Sequence, residues 1–148
     1  MLAELRKAGA VLKRQLMEQA ETAQADVERV FGVLQRGDVD GVYVLSPNLQ
    51  VKFFALVIRL ATEHGLPVPG YRKEWVEHGA LFSYAPDNRA DGRAAATYID
   101  KILKGAKPND LPVQRAMRLE LVINLKTAQA LGLTIPPRPF FQADEVIQ

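Results

Sequence analysis

ELVINLKTAQALGLTIP, residues Glu120–Pro136, reads as a strand that hands over directly to a helix. The apolar run Leu121-Val122-Ile123 suits a strand over Arg118–Asn124. Asn124 stands where a following helix needs a side-chain cap, and Thr127 joins it as a capping residue. Leu125–Leu131 has helical composition, and Gly132 can take the left-handed conformation that stops a helix. A strand followed at once by a helix is half of a βαβ unit, so the rest of the chain decides which sheet it completes.

The same pattern recurs upstream. Val42–Leu45 is a continuous apolar run with β-branched residues, the composition of a strand buried on both faces. Ser46-Pro47-Asn48 follows, then a helix with Phe53, Leu56, Val57 and Leu60 on its inner side, ended by Gly65. LPVPGYR gives a short strand, and Glu74–His78 a helical turn closed by Gly79. ALFSYAPD is the next strand and Ala90–Leu103 the next helix, stopped by Gly105 before a polar loop at Lys107–Leu111. Toward the N-terminus, Leu2–Leu12 is a helix by pattern. A short strand is expected near Leu16–Ala20, then a helix with Thr22 as N-cap, the stripe Val27, Val30, Phe31 and Leu34, and Gly37 as its close. Beyond Pro136 the pattern gives a Pro-rich tail and a last turn at Gln142–Ile147. Strands alternating with Gly-closed helices predict an α/β fold: a three-layer lobe with a mainly parallel sheet and helices on both faces.

The whole chain fits one such domain over residues 1–148. Its 48% hydrophobic and 24% charged residues are globular values, with no internal repeat and no low-complexity segment. No run of about 18 apolar residues is present, so no transmembrane helix is expected. The 19 Lys and Arg against 17 Asp and Glu leave a net charge of +2, scattered along the chain, which argues against a nucleic-acid partner. There is no cysteine, which excludes disulfides and thiolate-bound metals. The opening MLAELRKAGAVLKRQL has charges at Glu4, Arg6, Lys7, Lys13 and Arg14 where an export signal needs an unbroken apolar core. It reads as an amphipathic helix, and as written the chain is expected to carry no export signal.

Parallel α/β sheets place ligands beyond the carboxyl ends of their strands, and three such ends carry polar chemistry. At the first, the hydroxyl of Ser46, the amide of Asn48 and the helix that follows suit a carboxylate or another polar group; the same residues also suit a simple helix cap with Pro47 at the first position. At the second, Tyr71 offers a stacking ring and Arg72 a bidentate partner for a carboxylate, with Trp75 nearby; the alternative is a solvated Arg and a core Trp. At the third, Ser83, Tyr84 and Asp87 suit an amino group and an apolar body, or plain turn chemistry in which Asp87 or Asn88 starts a helix.

Catalytic signatures are missing. The chain has no Gly-x-Ser-x-Gly elbow, no Gly-x-Gly-x-x-Gly loop and no Walker-type loop. The two histidines sit in matching Glu-His-Gly settings, Glu63-His64-Gly65 and Glu77-His78-Gly79, which is helix-end chemistry rather than metal ligation. Asp38 and Asp40 flank a turn and make a poor catalytic pair. No enzymatic activity, cofactor or metal is therefore expected.

Three blocks taken together resemble a known family. GALFSYAPDNRADGRAAATYIDKILKGAKPNDLPVQ, LELVINLKTAQALGLTIPP and the ending ADEVIQ are similar to the C-terminal half of ABC transporter substrate-binding proteins of the "ABC sub bind" type. DVDGVYVLSPN and GLPVPGYRKEWVEHGAL sit where relatives have comparable segments, so the resemblance covers almost all of the chain and is weakest over residues 1–36. It implies a type I periplasmic-binding-protein-like lobe, incomplete relative to a two-lobe family that closes on a small solute such as an amino acid and hands it to an ABC permease. By position it adds weight to Ser46, Asn48, Tyr71, Arg72, Ser83, Tyr84 and Asp87 as ligand contacts. It implies a periplasmic or cell-surface location; the lack of an export signal would mean a cytoplasmic one if Met1 is the true start. In such folds the long helix before the Leu-Lys-Gly block packs on the other lobe. The apolar side of Ala90–Leu103, with Ala94, Ala95, Tyr98, Ile99 and Ile102, is then expected to be exposed and to drive self-association or association with a separate N-terminal lobe. The competing expectation is a stand-alone regulatory or interaction module that kept the fold without transport.

Overall fold

The computed structural model describes residues 2–19, 23–35, 37–113 and 118–148. In chain order it contains helices α1 (Leu2–Val11), α2 (Gln24–Val33), α3 (Pro47–Lys52) and α4 (Phe54–Glu63), then strand β1 (Pro69–Gly70), helix α5 (Lys73–Glu77) and strand β2 (Phe82–Pro86). Helix α6 (Asn88–Leu103), a 3₁₀ turn at Pro108–Asp110, strand β3 (Leu119–Asn124), helices α7 (Leu125–Ala130) and α8 (Pro137–Gln142) and strand β4 (Glu145–Ile147) complete it.

The four strands form one sheet in the order β1-β2-β3-β4. β1 pairs parallel to β2 and β3 parallel to β4, while β2 and β3 run antiparallel. The sheet is thus mostly parallel, with one reversal where the chain leaves β2 through α6 and returns through β3. α5 covers the face that carries Ser83, Val122 and Asn124. The Asn124 side chain reaches the Val76 carbonyl, and Lys73 reaches Glu145 on β4.

The main core lies beside the sheet. Val27 and Phe31 from α2, Val57, Ile58 and Ala61 from α4, and Val44, Leu49, Val68, Trp75 and Ala80 form one buried cluster. Trp75 is 2% exposed. Its ring stacks on Phe54 at 5.6 Å, and its indole N–H donates to the Gln50 carbonyl at 3.3 Å. A large apolar ring is buried here without orphaning its one polar group. α3 and α4 meet at Phe53, whose N–H still donates to Leu49 and whose carbonyl accepts from Val57, so the chain bends there with its backbone groups satisfied.

Several helix ends follow the sequence closely. Gly65, Gly79, Gly105 and Gly132 all have positive φ at the ends of α4, α5, α6 and α7. His64 and His78 sit at the ends of α4 and α5, with Nδ1 at 2.8 and 2.7 Å from the carbonyls four residues back.

Three expectations need correction. The strand expected near Leu16–Ala20 is not formed: Leu16–Gln19 is exposed and belongs to no ladder, and Ala20 lies outside the described residues. Val42–Leu45 is extended but is no strand of the sheet, because Val42 N–H to the Pro67 carbonyl is its one backbone hydrogen bond among the described residues. Both segments line a groove of about 1650 Å³. The last turn expected over Gln142–Ile147 is instead the parallel strand β4, preceded by α8. The proposed cap Thr22 lies outside the described residues; α2 starts after Ala23, which makes no side-chain cap bond, and ends at Val33, four residues before Gly37.

Candidate functional site

The strand ends bring the candidate residues to one level of the molecule. Pro69 and Gly70 of β1 pair with Phe82 and Ser83 of β2, so Tyr71 follows in step with Tyr84. The Val42 N–H donates to the Pro67 carbonyl at 3.0 Å, which sets Val42 beside the approach to β1. Tyr71 thus follows the end of β1, Tyr84 stands in the middle of β2, and Ser46 starts α3.

Tyr71 is 52% and Tyr84 63% exposed. The Arg72 guanidinium lies 5.3 Å from the Tyr71 ring centre, a cation–π arrangement. Arg72 is half-buried, and among the described residues no carboxylate pairs with it. A guanidinium held against a ring and lacking an anion is poised for a carboxylate. Its backbone is fixed from below: a Cβ on Gly70 would sit 2.8 Å from the Trp75 Cβ and 3.2 Å from the Arg72 carbonyl, so only glycine lets the strand end turn this tightly into α5.

The remaining candidates divide between roles. Ser46 is the N-cap of α3: its Oγ accepts from the Leu49 N–H at 3.5 Å, and it borders the groove beside Val42–Leu45. Asn48 is exposed on the first turn of α3. Ser83 is 1% exposed and shares the inward face of β2 with Ala85, whereas Phe82, Tyr84 and Pro86 point the other way. Ser83 and Tyr84 thus serve opposite faces of the sheet, as period-two alternation requires. Asp87 is the N-cap of α6, accepting from the Arg89 and Ala90 N–H groups at 2.9 and 3.0 Å. The Ala90 N–H holds its carboxyl below the usual range; the Arg89 N–H and the guanidinium groups of Arg93 and Arg118, each at 3.9 Å, act in the same sense against partial desolvation.

Two supporting residues escaped the sequence reading. Gln50 donates from Nε2 to the Val44 carbonyl at 2.8 Å, and its own carbonyl receives the Trp75 indole, so it braces the first two strand ends together. Phe82 stands on the same face as Tyr84; the alternation within FSYAP was the available signal.

Comparison with known proteins gives a consistent picture. The family model described as ABC transporter substrate binding protein matches residues 4–147. A tyrosine-binding protein of Clostridioides difficile is 27% identical over 119 residues, 80% of this chain and 34% of the relative. A crystal structure of an ABC domain in complex with L-Trp from Streptococcus pneumonia superposes with a TM-score of 0.73 at 30% identity, over 99% of this chain and 51% of that one. A conserved domain protein from Vibrio cholerae superposes with a TM-score of 0.77 at 32% identity, over 98% and 49%. The chain spans about half the length of these solved structures and about a third of the tyrosine-binding relative.

Proposed function

Since the chain belongs to the ABC transporter substrate binding protein family, we propose that it is one lobe of a two-lobe solute-binding component, contributing half of an amino-acid site at its strand ends. The observation that carries this is Arg72: a half-buried guanidinium without a carboxylate partner among the described residues, 5.3 Å from the exposed Tyr71 ring, with exposed Tyr84 in step with Tyr71 on the next strand. Arg72 takes the solute carboxylate and the two rings offer a surface to a flat side chain. Ser46 and Asn48 add hydroxyl and amide groups at the start of α3, after the extended segment 42–45. Ser83 supports the strand from within the sheet, and Asp87 presents the start of α6. The tyrosine and L-Trp named for two relatives favour an aromatic solute. Binding of this kind needs no covalent chemistry. A transport role places the protein outside the cytoplasmic membrane, passing its solute to a permease; among the described residues no helix is long and apolar enough to cross a membrane.

One lobe leaves the solute open to water on one side, so affinity is expected on the order of millimolar rather than the tight binding of an enclosed site. Titration of the labelled chain with L-tryptophan, L-phenylalanine, L-glutamate and glycine, followed by NMR, tests this. The aromatic amino acids should shift the signals of Tyr71, Arg72 and Tyr84 saturably, and Arg72→Ala should weaken binding at least about tenfold. An absence of saturable shifts, or binding indifferent to both Arg72→Ala and Tyr84→Ala, would overturn the assignment.

A further inference from the structure

We propose that residues Leu16–Gln19 are a strap that closes the groove beside Val42–Leu45 by pairing with it as a parallel strand, and that the Arg6–Glu18 ion pair holds the strap open. The groove of about 1650 Å³ has Lys13–Gln19 along one wall and Asp38–Ser46 along the other, over buried Val27, Phe31 and Val57. The second wall is an unfinished strand. Val42–Leu45 is extended, and the Val42 N–H donates to the Pro67 carbonyl on the side of β1. In an extended chain the N–H and C=O of one residue point to the same side, and the side alternates along the chain. Those of Tyr43 and Leu45 therefore point away from β1, toward the groove, and no ladder partner among the described residues receives them. Such an edge is a template for a further strand.

The strap is held back by local contacts. After α1 the chain reverses at Lys13, whose φ of 54° is a left-handed conformation that a residue with a side chain adopts at a cost. The Arg14 N–H donates to the Gly9 carbonyl at 2.8 Å, and the Glu18 carboxylate accepts two bonds from the Arg6 guanidinium, both at 2.7 Å. Arg6 and Glu18 are both solvated, so this pair contributes little. Leu16 and Met17 stay 45% and 55% exposed in this position. Closure buries both, one on each face of the added strand. Arg14 already reaches Asp40 on the opposite wall at 3.7 Å. Chain order favours this occupant over a separate peptide. The strap, α2 and Val42–Leu45 follow one another as strand, crossover helix and strand, an arrangement that sets the two strands parallel. Residues 20–23 join the strap to α2, so its effective concentration at the edge is on the order of millimolar or above. Both walls belong to this chain, so closure needs no second lobe, and the inference stands without the solute assignment.

Amide hydrogen exchange followed by NMR tests the strap. Glu18→Gln and Arg6→Gln remove the ion pair. Gly9→Leu places a side chain where a Cβ alone already comes within 3.2 Å of the Arg14 carbonyl and 3.5 Å of the Leu16 side chain. Each of the three should slow exchange of the Tyr43 and Leu45 amides at least about tenfold relative to the natural chain, with new backbone contacts between residues 16–19 and 42–45. M17P/E18P also removes the Glu18 carboxylate, but it sets one proline toward the edge in either register, so these amides should exchange as fast as in the natural chain. Unchanged exchange in β3 identifies a variant as folded. Exchange at Tyr43 and Leu45 that all three release variants leave unaltered would overturn the proposal. So would protection that persists in M17P/E18P or arises without contacts to residues 16–19, because the edge would then have another partner.

Discussion

At Asn124 one side chain serves three elements. It is 5% exposed, ends β3, and accepts the Thr127 N–H at 2.9 Å to start α7. Its Nδ2 donates to the Val76 carbonyl at 2.9 Å, which ties α5 to the sheet, and Thr127 adds a hydroxyl bond to the Gly79 carbonyl at 3.1 Å. Among the described residues no buried side-chain polar atom lacks a partner, so the network has no slack. Asn124→Ala removes the cap and the bond to the Val76 carbonyl, which keeps the Gly79 N–H at 3.1 Å. A loss of about 2–3 kcal/mol is expected in urea denaturation, with an unchanged slope. Asn124→Asp keeps the cap acceptor but loses the donor to Val76 and buries a charge, so it should also destabilise. Equal stability of the Ala variant and the natural chain would show that the bonds to Thr127 and Val76 contribute nothing.

Elements differ in how far their sequence determines them. Caps were legible because each is a local device: Ser46, Asp87 and Asn124 each bond to an amide two or three residues away, whatever the rest of the chain does. β4 was not legible. Three residues are too few for a period, and Glu145–Ile147 is a strand only because β3 lies beside it, with Asp144 exchanging bonds with the Leu121 backbone. Val42–Leu45 fails in the opposite sense, having strand composition but no ladder. The site shows the same division: its residue types and the opposite facing of Ser83 and Tyr84 were readable from period-two alternation, but which of the two is buried depends on α5 and β3 packing around β2. A long-range clamp holds β4 in place. Lys73 on α5 bonds to Glu145 at 2.5 Å, which raises the lysine's pKa above its ordinary 10.5, helped by the charges of Glu120 and Glu77 against desolvation. A raised lysine pKa stabilises the fold fully below its unfolded value and ceases to do so as pH climbs through the folded one. Natural protein should therefore lose up to about 1 kcal/mol relative to Lys73→Met between pH 9 and pH 12. Parallel stability curves for the two chains across that range would remove the clamp.

Across the whole molecule, burial is uneven. The core joins α2, α3, α4 and α5 beside the sheet, whereas α1 buries only Gly9 and α6 buries nothing. A helix without tertiary contacts keeps only its intrinsic propensity, and α6 lowers even that with Gly92 near its start. Its Asp87 cap and the Lys104–Asp100 pair hold the ends locally but do not couple α6 to the core. Opening of α6 should therefore cost far less than global unfolding, and hydrogen exchange reads this difference directly. Amides of α1 and α6 should exchange more than about 100-fold faster than those of β3 in dilute solution. Protection of α6 equal to that of β3 would mean that the helix is anchored within its own chain.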